Sequence, residues 1–148
     1  MKLKIFVLAL FLGISNSYAQ KAFVNPGVKV GYMFGENGGF VWGFEISVLI
    51  YNAKQDMLWG IVLDYDIVNN MKRLHIGIEG TRAAIGLDIG PTFVWENDES
   101  YTGFSIIPFG GIIIIPYYNF TYLIHKGDFH EIGSYLKISI GDYKFRLQ

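Results

Sequence analysis

The stretch Trp59-Gly60-Ile61-Val62-Leu63-Asp64-Tyr65-Asp66-Ile67 decides the fold. Its odd positions are large and apolar, while its even positions hold Gly, Val and two aspartates. A period of two is a strand signal, because successive side chains of a strand leave on opposite faces. A helix would scatter both sets around its circumference. One face of this strand is bulky and apolar, the other small and charged.

The same signature recurs along the chain. Upstream, Val28-Lys29-Val30-Gly31-Tyr32-Met33-Phe34 runs into a turn at Glu36–Gly39. Phe40 to Ile50 then alternates as far as a turn at Asn52–Asp56. Asn69-Asn70 is a turn signal after the quoted run. Leu74, Ile76 and Ile78 alternate with Arg73, His75, Gly77 and Glu79, and Ala83, Ile85, Leu87 and Ile89 with Ala84, Gly86, Asp88 and Gly90. A polar loop at Glu96–Ser100 leads to a sixth run over Tyr101–Pro108. The pair Gly110-Gly111 reads as a hairpin turn into a seventh, Ile112–Ile124. After a polar loop at His125–Glu131, Leu136, Ile138 and Ile140 alternate with Tyr135, Lys137, Ser139 and Gly141. These eight runs leave no room for the crossovers of a parallel sheet. The expectation is an all-β fold, a closed antiparallel up-and-down barrel of about eight strands, as a single domain over 20–148.

Residues 1–19 read as a signal peptide. Lys2 and Lys4 give a charged start, Ile5–Gly13 an apolar run too short to span a bilayer, and Ser17-Tyr18-Ala19 a small-residue cleavage site after Ala19. The chain has no cysteine, which excludes disulfides, thiolate metal sites and a lipid-anchored lipoprotein. With a formal net charge of −1 and no basic stripe, a nucleic-acid partner is not supported.

Alternation alone does not say which face is inside. A soluble barrel turns its apolar face inward, and a membrane barrel turns it out to lipid. The small face carries Gly31, Gly35, Gly43, Gly60, Gly77, Gly86, Gly90 and Gly103 with Glu45, Asp64, Arg73, His75, Glu79 and Asp88. Glycines weaken a solvated strand without packing anything, but they suit a narrow lumen in which mixed charges pair. The other face carries Trp42, Phe44, Trp59, Leu63, Tyr65, Phe93 and Trp95, too much bulk for an eight-stranded interior. Trp42, Trp59 and Trp95 also lie near strand ends, where membrane barrels carry aromatic girdles. The expectation is therefore a transmembrane barrel. Against it stand Pro91, Pro108 and Pro116, since a closed barrel has no free edge for a proline. Pro91 and Pro108 are expected to end their strands, and Pro116 to need a bulge or break.

Together these features resemble the small eight-stranded outer-membrane β-barrel proteins, most closely those of Bacteroidetes-type bacteria. The resemblance covers nearly all of 26–146 as a pattern of residue classes, and Tyr143-Lys144-Phe145 is similar to the terminal aromatic element that assembly machinery reads. It implies a cell outer membrane location, with outer-membrane lipid and the barrel-insertion machinery as partners. No protein partner is named by it.

Some members of that wider group act on lipid A. None of His75, His125 and His130 has a serine two residues away, as the deacylase type requires, and nothing fixes a geometry among His75, Glu79 and Ser47. The residues Glu45, Asp64, Arg73, His75, Glu79 and Asp88 are expected to form a structural polar network in the lumen. Asp64 and Asp66 are also open to a strand-end reading. The cluster from His125 to Glu131 has metal-site residue types but reads as a solvated surface loop. No cofactor and no catalytic activity are implied. The leading expectation is a structural or interaction role in the envelope. The alternatives are a soluble periplasmic or secreted barrel binding a small apolar ligand, and an outer-membrane lipid hydrolase.

Overall fold

The computed structural model describes residues 22–35, 38–53 and 55–141. They form a closed barrel of eight strands: β1 (Ala22–Phe34), β2 (Gly39–Asn52), β3 (Met57–Val68), β4 (Met71–Arg82), β5 (Ile85–Glu96), β6 (Glu99–Gly110), β7 (Ile114–Leu123) and β8 (Gly127–Lys137). Each strand pairs antiparallel with the next, and β8 closes on β1, from Gly27 opposite Lys137 to Phe34 opposite His130. The expected fold class is the one observed. The strands are 10–14 residues long, and a tilted strand needs about 9–11 to cross a bilayer. The signal peptide, its cleavage point after Ala19 and the Tyr143–Phe145 element lie outside the described residues.

The connections are short because the turns match the twist of the strands. Asn69, Ala83, Asn97 and Asp98 all have positive φ, between 47° and 68°. Left-handed turn residues continue the right-handed twist of a two-residue hairpin, and Asn and Asp adopt that region with little cost. The loop expected at Glu96–Ser100 shrinks accordingly to Asn97-Asp98, with Glu96 and Glu99 paired across it. Ala83-Ala84, expected inside the fifth strand, is instead the β4–β5 turn. The β1–β2, β3–β4, β5–β6 and β7–β8 connections share one rim, called the first. The second rim carries the other three connections and both ends of the described chain.

Two larger differences separate the expected strands from the observed ones. β8 begins at Gly127, so Asp128 to Glu131, expected in a loop, lie on a strand. The prolines do not end strands. Pro91 lies inside β5, Pro108 inside β6, Pro116 inside an unbroken β7, and Pro26 inside β1. Each sits at an outward position and disturbs one ladder only. Pro91 stays in register with Phe104 of β6, while the β4–β5 register skips from His75–Thr92 to Ile78–Ile89. Pro116 stays in register with Ser134, and Pro108 with Leu87. Both therefore spend their missing N–H on the β6–β7 seam, where the register skips from Ile106–Phe120 to Phe109–Tyr117. A closed barrel hides a proline on a single seam.

Candidate functional site: the lumen

The barrel is inverted relative to a soluble protein. Among the described residues, 32 large apolar side chains are exposed, against 13 hydrophobic ones that are buried. The quoted run shows the reason: Trp59, Ile61, Leu63 and Tyr65 face out, and Gly60, Val62, Asp64 and Asp66 face in. Sixteen polar or charged residues are buried, including Lys29, Asp64, Asp66 and Glu131 at 0 % exposure. An apolar surface this continuous cannot be left in water. The soluble alternative required the aromatic face inside, and the structure places it outside. This is a transmembrane β-barrel, the kind that outer membranes hold. Trp42 and Trp95 lie outward near the first rim and Trp59 near the second, so the three are placed where a girdle would be.

All six residues expected in a lumen network are buried there, but they divide among three groups. The central group is built on two cations. Lys29 Nζ lies 3.0 Å from Asp66, 3.3 Å from Asp64 and 3.5 Å from Glu131. Arg73 donates to Asp66 from Nε at 3.0 Å and Nη2 at 2.6 Å, and reaches Glu131 with Nη2. The Tyr117 hydroxyl donates to Glu131, and Tyr135 donates to Asp64 at 3.1 Å. Lys29 also stands over the Tyr117 and Tyr135 rings, 4.8 and 5.4 Å from their centroids. Charges buried this deeply persist only when opposite charges and hydrogen bonds meet them. Asp66 is a full member, not a strand-end residue.

The second group, nearer the second rim, places Lys137 between Glu45 and Glu79, with the Tyr135 ring 4.8 Å and the Phe109 ring 5.2 Å from its ammonium. The third is a chain of polar groups anchored on one acid. His75 Nε2 meets Asp88 at 3.0 Å and Nδ1 meets the Thr92 hydroxyl at 3.0 Å. From Thr92 the chain passes to Ser105 at 2.5 Å and Thr121 at 2.7 Å, and Thr121 donates to Asn119 at 3.0 Å. Gly77 makes room for this group, since a Cβ there would lie 1.8 Å from Asp88 Oδ1. An acid, an imidazole and a hydroxyl in line have the order of a hydrolytic triad. Here each is at most 3 % exposed, with Ser47 elsewhere, accepting from Asn25.

Four charged members of these groups were missed in the sequence. Lys29 stands in plain alternation between Val28 and Val30, and its face alone was enough to include it. Asp66 was legible by parity with Asp64. Glu131 was hidden by the misplaced start of β8, whereas Lys137 stood in plain alternation between Leu136 and Ile138. The cluster His125–Glu131 is dispersed by the structure: His125 takes a turn φ of 66°, His130 faces out to meet Tyr118 and Asp128, and Glu131 faces in.

The first-rim end of the lumen is closed by apolar packing. Met33, Val41, Val68, Met71, Val94 and Leu123 form a buried cluster against Tyr101 and Phe129. Lys126 covers it, paired with Glu96 and 4.5 Å from the Tyr101 ring centroid. Apolar packing thus lies over the charged middle at this end of the lumen.

No protein-family model matches the chain, and no curated protein matches it. Among solved structures, the crystal structure of Neisserial surface protein A (NspA) is similar, with 9 % identity and a TM-score of 0.49, covering 80 % of this chain and 97 % of that one. A de novo designed transmembrane β-barrel is similar at 10 % identity and a TM-score of 0.46, covering 82 % and 98 %. The Yersinia pestis outer membrane protein Ail, in a phospholipid bilayer nanodisc, follows at 8 % and 0.43, covering 80 % and 99 %. The membrane assignment rests on the barrel's own inverted surface, not on these likenesses.

Proposed function

We propose that this protein is a non-conducting outer-membrane β-barrel with a structural or interaction role in the cell envelope, and not an enzyme. The observation that carries the reading is the filled lumen, in which Lys29 and Arg73 tie β1 and β4 to acids on β3 and β8. Such a network cross-braces a barrel and consumes the groups that chemistry would need. Outer-membrane lipid surrounds it, and the barrel-insertion machinery places it there. The finer likeness to Bacteroidetes-type barrels belongs to this proposal, supported by residue-class pattern alone. Planar-bilayer recording tests the reading: the purified protein should give no steady channel steps, and reproducible pore openings would overturn the closed lumen.

The hydrolase alternative draws on the Asp88–His75–Thr92 alignment, which has the right order and no exposed nucleophile. Lipid A from cells expressing the protein should be unchanged. A deacylated product lost on His75→Ala would reverse this reading.

A further inference from the structure

The second-rim end of the lumen is less completely filled than the first. A cavity of about 120 Å³ lies there, with Phe23, Leu49, Phe109 and Ile115 among its walls and Asn25, Glu79 and Lys137 among its polar groups. The connections at Ala83 and at Gly111–Ile112 form its lip. Most of its lining is apolar, with a few polar groups, the composition of a small-molecule site.

Asn25 supplies the second observation. It is 6 % exposed, its amide nitrogen donates to Ser47 at 3.4 Å, and its Oδ1 has no hydrogen-bond partner among the described residues. A buried amide oxygen left without a donor is costly, and of the seven buried side-chain atoms without a partner among the described residues it alone belongs to a wall of the cavity. Lys137 and Glu79 line the cavity, and Glu45 outside it shares the same ammonium, so no unpaired cation is left to hold an anion and the cavity takes a neutral or cationic donor. Size sets the rest. An engineered apolar cavity of about 150 Å³ holds one benzene ring, so this one takes a single ring or its aliphatic equivalent.

We propose that this cavity binds a small one-ring molecule bearing a hydrogen-bond donor, such as an aryl alcohol or aryl amine. The ring packs against Phe23 and Phe109, and the O–H or N–H is donated to Asn25 Oδ1. The site faces the space at the second rim, so its ligand arrives from that aqueous side and not through the lipid.

The test uses the detergent-purified protein, with phenol, benzylamine, toluene and benzoate as probes in NMR titrations. Phenol and benzylamine should give saturable shifts, and benzoate none. Asn25→Leu should weaken phenol at least fivefold while leaving toluene within twofold. Ile115→Trp, which fills the cavity, should abolish saturable binding of all probes. Non-saturable uptake in the native protein would mean partition into detergent and would overturn the proposal. So would benzoate binding as well as benzylamine. If either variant fails to give a folded band on an unboiled gel, the contrast among the four probes on the native protein decides the question alone.

Discussion

Arg73 on β4 donates to Glu131 on β8 across the lumen, joining residues 58 positions apart in the sequence. Neither is more than 1 % exposed, and Lys29 and Asp66 complete the group around them. No ladder hydrogen bond links β4 to β8, so this ion pair is a brace that the sheet itself does not provide.

Removing Arg73 leaves Asp64, Asp66 and Glu131 buried around a single cation, Lys29. Arg73→Met should destabilise the barrel by about 3–5 kcal/mol, as for other broken buried pairs. The double variant Arg73→Met with Glu131→Met should recover much of that loss, because the second change removes a carboxylate in excess of the remaining cation. Reversible urea unfolding in lipid vesicles measures both. Equal losses for the single and double variants would show that the pair is not coupled.

The lipid-facing surface makes a depth-dependent prediction. Leu63 faces outward in the middle of β3, opposite Ile46 and Ile76. Leu63→Arg should cost about 2–4 kcal/mol, the range for a cation at the bilayer midplane. Ile113→Arg, in the connection at the second rim, should cost about 0–1 kcal/mol by the same rule. The same unfolding measurement distinguishes them, and equal costs would contradict the inferred position of the membrane.

Gly90 faces the lumen on β5, where a Cβ would lie 2.1 Å from the Ile76 carbonyl oxygen and 2.6 Å from Gly77 Cα. Backbone cannot swing aside as a side chain can. Gly90→Ala should therefore destabilise by about 1–3 kcal/mol, as overpacking does. Gly80→Ala, which meets only the flexible end of Met57 at 2.8 Å, should cost less. The difference in urea midpoint between the two variants checks the account.

The β6–β7 seam should be the softest part of the wall around its prolines. Replacing Pro108 and Pro116 with alanine returns an N–H to each, facing Tyr118 and Gly110 by the register set at Phe109–Tyr117. One restored hydrogen bond contributes about 1 kcal/mol, so amide exchange at Gly110 and Tyr118 should slow by roughly fivefold. Unchanged exchange at both would show that the prolines do not limit the seam.

The fold was legible because lipid and lumen impose opposite demands on alternate residues, and mid-strand positions such as Leu63 and Asp64 obey both. Legibility failed at the rims. Around β8 the outward residues Asp128 and His130 are polar, as the inward Glu131 is, so alternation vanishes and the segment imitates a loop. The prolines misled for a different reason. A strand loses a ladder bond only on the side a residue's N–H faces, which hydropathy does not reveal. Of the lumen groups, the charged members other than Glu131 could be read from parity, but the partnerships could not. That Arg73 meets Glu131, and His75 meets Asp88 and Thr92, depends on register between strands.

The most direct test of the central claim is the migration of the membrane-fraction protein on SDS gels, with and without boiling. An inverted, cross-braced barrel should fractionate with the outer membrane and resist SDS until heated, giving two bands that interconvert with temperature. A protein recovered in the soluble periplasmic fraction, with a single band unaffected by heat, would contradict it.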